Sequence, residues 1–200
     1  MYAAQGIVII VAASLCLNVN SESEDSGVAK DVLSIVDVFN RSEPLWHYQI
    51  NSTATSAPTA CMLLSKINIS EKDYDSWRNE SFPGGPRFSD RCRGIFEKDT
   101  RYCAVMNFSC IEAQDYEKGS PLYNEELMEL IYAEATCSLF LVHSLVFSKG
   151  APGCRLYVTD SAADDGPSET CKTKFNESCD GSTVVFYDKK CRQQNAKTRV

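Results

Sequence analysis

The 200-residue sequence contains no C-x-x-C pair, and its only histidines are His47 and His143. The ligand spacing of a zinc site is therefore missing. There is also no G-x-S-x-G elbow, no Walker A loop and no G-x-G-x-x-G turn, so the usual signatures of hydrolase, nucleotide and dinucleotide chemistry are absent. Nothing points to an enzyme or to a cofactor. Glycine and proline are sparse, at 10 and 7 residues, which excludes a collagen-like or Pro/Gly-rich disordered chain. Positive charge is short as well: 20 Lys and Arg stand against 27 Asp and Glu, a net charge of −7. A nucleic-acid binder needs an excess of cations to displace counterions from phosphates, so that class is set aside. No apolar run approaches the ~20 residues that a bilayer-spanning helix requires.

What the chain does have is cysteine, ten residues of it. So many thiols in a chain of this length suit an oxidising, extracellular compartment. The N-terminus agrees. Ile7 to Leu17 form an apolar run of eleven residues ending at Asn18, too short for a membrane span and suited to a signal-peptide h-region. Residues 1–20 are read as a signal peptide, 21–27 as a polar lead-in, and the mature protein as secreted. Six sequons support the same compartment, at Asn40, Asn51, Asn68, Asn79, Asn107 and Asn176. Loss of Cys16 with the leader leaves nine cysteines, an odd number, so one thiol is expected to be free or paired outside the chain.

Val28, Val32, Ile35, Val36 and Phe39 recur at helical spacing and predict an amphipathic helix ending before Pro44. The pattern then changes to short apolar or alternating runs separated by turn-rich clusters. These are LWHYQI, ACMLLSKINI, CRGIF, YCAVMNF, LMELIYAE, CSLFLVHSLVF and CRLYV, with FPGGPRF as a loop. LMELIYAE fits a helix equally well. Such regular short strands imply an antiparallel sandwich or barrel. Beyond Gly166-Pro167, SETCKTKFNESC suits a second helix, TVVFYD a last strand, and residues 192–200 a flexible tail. The whole reads as one mainly β domain over residues 28–191.

At this level the sequence resembles the tick salivary lipocalins. The residues that carry the resemblance are Glu43-Pro-Leu-Trp46 followed by Cys61, then Tyr132 before Cys137-Ser-Leu139, Cys154-Arg-Leu-Tyr157 and Cys171-Lys-Thr-Lys-Phe175. The family signature runs Cys-Asp-aliphatic, a gap, Glu-Leu-Trp/Tyr, a second gap, then Cys. The resemblance implies an eight-stranded antiparallel barrel with an N-terminal and a C-terminal helix. It also implies the disulfides Cys61–Cys191 and Cys137–Cys171, with Cys154–Cys179 as a third. Cys92, Cys103 and Cys110 then permit one further bond, which the sequence does not choose; Cys92–Cys103 is favoured, leaving Cys110 odd.

A lipocalin encloses a small ligand, and eight strands leave room for one. If Cys137 and Cys154 face outward, alternation turns Ser138, Phe140, Arg155 and Tyr157 inward. Trp46, Tyr48, Tyr102 and Tyr132 are further candidates for the cavity wall or mouth. Ser138 and Arg155 stand where the amine-binding pattern has Asp and Glu, so one negative charge is lost and another reversed. Glu112, Glu129 or Glu134 could restore a carboxylate from other strands. An inward Arg155 needs a partner, either a protein carboxylate or that of a ligand. The expected function is capture of a small host-derived mediator, apolar or carboxylate-bearing, such as an eicosanoid or fatty acid. A biogenic amine is the first alternative; the second is action on a host immune protein through the glycosylated surface.

Overall fold

In the computed structural model, residues 34–52, 60–82, 84–97, 104–122, 125–145 and 152–196 are described. The leader with Cys16, the polar lead-in, residues 28–33 of the expected N-terminal helix, Tyr102 and Cys103 lie outside the described residues.

Strand β1 (Leu45–Ser52) begins the barrel, and β2 (Cys61–Ile69), β3 (Asp73–Ser81), β4 (Arg87–Phe96), β5 (Val105–Glu112), β6 (Glu126–Ala133), β7 (Cys137–Ser144) and β8 (Gly153–Thr159) follow as an antiparallel meander. Each strand pairs with its chain neighbour, and β8 returns to β1. Closure is completed where β1 meets β2, at Leu45↔Leu64 and Trp46↔Leu63. A closed barrel leaves no unpaired sheet edge in its wall. The short strand β9 (Ser182–Val185) adds to the far half of β1, from Gln49↔Val185 to Ser52↔Ser182.

Helix α1 (Ile35–Phe39) stops one end of the barrel. Ser34 caps it by accepting a hydrogen bond from the Asp37 amide at 3.1 Å, and Ile35, Val38 and Phe39 are buried in the barrel core. Arg41 holds it there, its guanidinium donating to the carbonyls of Glu134 (3.1 Å) and Ala135 in the β6–β7 turn. Helix α2 (Ala113–Glu117) follows β5. Helix α3 (Glu169–Ser178) lies on the outer wall, where Cys171 and Phe175, one turn apart, pack on Leu139, Leu156 and Val158. Helix α4 (Lys189–Ala196) carries the chain into the segment read as a tail, because Cys191 is buried and Arg192 binds Asp160 and Asp164.

Among the described residues, four disulfides tie this together. Cys61–Cys191, Cys137–Cys171 and Cys154–Cys179 join the C-terminal segment to the wall, with Cα separations of 5.5, 6.5 and 5.9 Å. The fourth corrects the sequence reading: Cys92 pairs with Cys110, not Cys103. The reason is register. Cys92 and Cys110 are direct partners on β4 and β5 with Cα atoms 4.1 Å apart, both turned inward. Among the described residues no cysteine is free.

Candidate functional site

The barrel interior divides into two zones along its axis. Next to α1 it is apolar. Phe39 stacks on Tyr74 and Phe140, with ring centroids 4.5 and 5.6 Å apart, and Phe96, Met106, Met128 and Leu130 fill the space around them. Gly94 makes room here for the Met106 thioether, which a Cβ at that position would force aside. Burial pushes the Tyr74 phenol well above its ordinary pKa, so it stays neutral.

The far half mixes apolar inward residues, Ile50, Met62 and Phe108 among them, with charged ones that are paired. Arg155 on β8 reaches past β7 to Glu126 on β6 in a bidentate ion pair, with Nη1 donating to Oε2 at 2.6 Å and Nη2 to Oε1. Burial alone would lower the Arg155 guanidinium, but the Tyr157 phenol and the Glu126 carboxylate beside it hold it above its usual value. On the opposite wall Arg78 donates from Nε to Asp90 at 3.0 Å and approaches Glu80 at 3.3 Å. Three carboxylates thus share two guanidinium groups.

A row of inward side chains crosses three adjacent strands. His47 on β1 lies opposite Tyr157 on β8, and Tyr157 opposite Ser138 on β7. The His47 ring sits against Tyr157 and Phe186, with centroids 5.2 and 5.0 Å apart. It is 4% exposed, and neither ring nitrogen has a hydrogen-bond partner. The Ser138 hydroxyl is likewise buried without one. Burial, reinforced by the Arg155 and Arg78 charges, lowers the His47 pKa well below its ordinary value and keeps the imidazole neutral.

Ser138, Phe140, Arg155 and Tyr157 do converge in the interior. Three other candidates do not. Leu45 and His47 are inward residues of β1, so Trp46 and Tyr48 point out. Trp46 is buried under the C-terminal segment against Cys61, Leu63, Tyr187 and Cys191, its indole N–H donating to Asp160 at 2.8 Å. Tyr48 stacks on Tyr187 at 5.7 Å. Tyr132 follows a β-bulge that turns it to the outer wall beneath α3, where its hydroxyl donates to Glu134 at 2.8 Å. Tyr102 lies outside the described residues. Of the carboxylates considered, Glu129 faces outward opposite Leu141, Glu134 sits at the turn outside the wall, and Glu112 is exposed.

Glu126 and His47 were missed. Glu126 was legible in the alternation of Glu126-Leu-Met128-Glu-Leu130, which puts it on one face with two core residues. His47 carries no signal beyond lying two residues from the inward Leu45. Among the described residues, the one group of ligating atoms close enough for a metal is Glu134 with Cys137 and Cys171, whose sulfurs are joined in a disulfide.

A closed eight-stranded antiparallel barrel, stopped by a helix at one end and flanked by a C-terminal helix, is the lipocalin architecture. Residues 48–193 match the tick histamine binding protein family, and the chain belongs to it, a family of ligand-binding proteins rather than enzymes. Among solved structures it is similar to Japanin from Rhipicephalus appendiculatus bound to cholesterol. The TM-score is 0.54 at 16% identity, covering 76% of this chain and 97% of that one. No curated protein matches the chain in sequence. Among the described residues no helix is long and apolar enough to cross a membrane.

Proposed function

We propose that the protein is a secreted carrier that sequesters a small, largely apolar and uncharged host mediator inside the barrel. The observation that carries this reading is the pairing of the interior charges. Arg155 is occupied by Glu126, and Arg78 by Asp90 and Glu80, next to an apolar interior. A fatty acid or eicosanoid carboxylate would have to displace Glu126 from a bidentate partner, and a protonated amine would have to draw a carboxylate from a guanidinium. A neutral ligand does neither. Japanin, on the same fold, holds cholesterol, itself mostly apolar and uncharged.

An amine such as histamine is the second reading. It is supported by the family's name and by the surplus of one carboxylate over the two guanidinium groups. Native mass spectrometry of the secreted protein, before and after organic extraction, followed by calorimetry with cholesterol, a leukotriene, serotonin and histamine, separates these readings. Retention of a neutral apolar molecule and heat with cholesterol are expected. Tight histamine binding alone would hand the site to the amine, and no binding of any kind would end the carrier reading.

A further inference from the structure

Resting on the carrier reading, we propose that His47 is the polar-group subsite of the barrel, taking a hydroxyl or carbonyl oxygen of the ligand while its apolar body lies against Tyr157 and Phe186. Buried polar atoms in folded proteins are nearly always hydrogen-bonded, so a buried side chain with two orphaned ring nitrogens marks the place of an absent partner. His47 is such a side chain, and the charged and titratable groups around it do not supply that partner. Arg155 on β8 is turned to Glu126, and Arg78 on β3 is turned to Asp90 and Glu80. Tyr157 presents its ring face.

The chemistry of the partner follows from the state of the ring. A neutral imidazole offers one N–H donor and one bare nitrogen acceptor. A hydroxyl can satisfy either nitrogen, and a carbonyl oxygen can accept from the N–H. An ammonium group would find no free counter-charge at a neutral imidazole, because the nearby carboxylates are engaged by Arg155 and Arg78. A carboxylate would be drawn past His47 to Arg155, where Glu126 already sits. Ser138, beyond Tyr157 in the same row, gives a second point roughly 10 Å away, two strand spacings along the sheet. The subsite therefore selects by head group, and the ring faces of Tyr157 and Phe186 beside it take the body.

Three probes sharing one alkyl body isolate the head group: tetradecanol, myristate and tetradecylamine, titrated by calorimetry below micelle-forming concentrations. The wild-type protein should bind tetradecanol most tightly. His47→Phe keeps the stacked ring and should weaken tetradecanol about tenfold, the worth of one hydrogen bond, while moving the other two little. His47→Gln keeps a donor and an acceptor and should stay within about threefold of wild type. Nitrogen-resolved NMR on the unaltered protein gives a readout that needs no variant, because the His47 ring nitrogens should shift on adding tetradecanol. Bound tetradecanol with unshifted His47 nitrogens, or unchanged affinity in His47→Phe, overturns the subsite and leaves the carrier reading standing. Failure of all three probes overturns the subsite, and the carrier reading falls with it where cholesterol and the other ligands titrated above also fail to bind.

Discussion

Glu126 shows how one side chain can set the ligand class of a cavity. It neutralises Arg155, the only guanidinium that the sequence places among the inward residues of β8. Glu126→Gln should leave that cation short of its partner and destabilise the fold by ~1–3 kcal/mol, below the range for a fully buried pair because both side chains keep some exposure. The same substitution should raise affinity for myristate, since Arg155 is then free to accept a ligand carboxylate. Denaturant midpoints and a myristate titration on one preparation check both effects. His47 sets a pH dependence. Its folded pKa lies well below 6.5, while the unfolded chain takes up the proton near 6.5. Between those values the unfolded state binds more protons. The contribution is thus complete above about pH 6.5 and is lost as pH falls below it, at up to about 1.4 kcal/mol per pH unit. Urea unfolding of wild type and His47→Phe between pH 7.5 and 5 should show a steeper decline in wild type. Glycosylation is also decided residue by residue. Asn40, Asn68 and Asn176 are exposed, whereas the Asn51 amide donates to the Asp180 carbonyl and its oxygen accepts from the Cys154 amide. Glycopeptide mass spectrometry should find sugar on the first three and bare Asn51.

At the scale of elements, the sequence disclosed strands in proportion to how apolar their inward faces are. LMELIYAE, which could have been a helix, is β6, with Met128 and Leu130 in the core. The strand that went unseen is β3, Asp73–Ser81. Its inward residues are Tyr74, Ser76, Arg78 and Glu80, so apolar alternation fails after the first of them. The missing strand and the missing half of the site have one cause, a polar inner face. β7 and β8 were legible because the cysteines and leucines of their outer faces are covered by α3. The N-terminal helix was also legible, and its role as a stopper depends on Phe39. That ring is 2% exposed and stacks on both Tyr74 and Phe140. Phe39→Ala should cost ~3–5 kcal/mol and open the apolar end of the barrel. An environment-sensitive dye such as ANS should report that opening by brighter emission under native conditions.

For the molecule as a whole, the disulfide framework distributes stability unevenly between the barrel and the segment strapped to it. The family resemblance pointed to three bridges, and the fourth needed the β4–β5 register that only the folded sheet supplies. Cys61–Cys191 spans 130 residues, and Cys154–Cys179 spans 25. Cross-linking lowers the entropy of the unfolded chain with the logarithm of loop length, but the relevant loop is the shortest path with the other bridges intact. Shortcuts through Cys92–Cys110 and Cys137–Cys171 reduce the longer loop to roughly 80 residues, while the route from Cys154 to Cys179 through Cys137–Cys171 is no shorter than the direct one. On that footing the bridges contribute about 4.5 and 3.5 kcal/mol respectively. Cys61–Cys191 also carries a structural duty that loop length omits. It anchors α4, whose Arg192 holds Asp160 and Asp164, and it adjoins the packing that covers Trp46. Paired Cys→Ala variants should therefore rank with loss of Cys61–Cys191 at least 1 kcal/mol or so more damaging than loss of Cys154–Cys179. Guanidinium unfolding, followed by tryptophan fluorescence and by far-ultraviolet dichroism, measures the order. Equal losses would mean that the C-terminal segment is held by its packing on the barrel wall and not by the bridge.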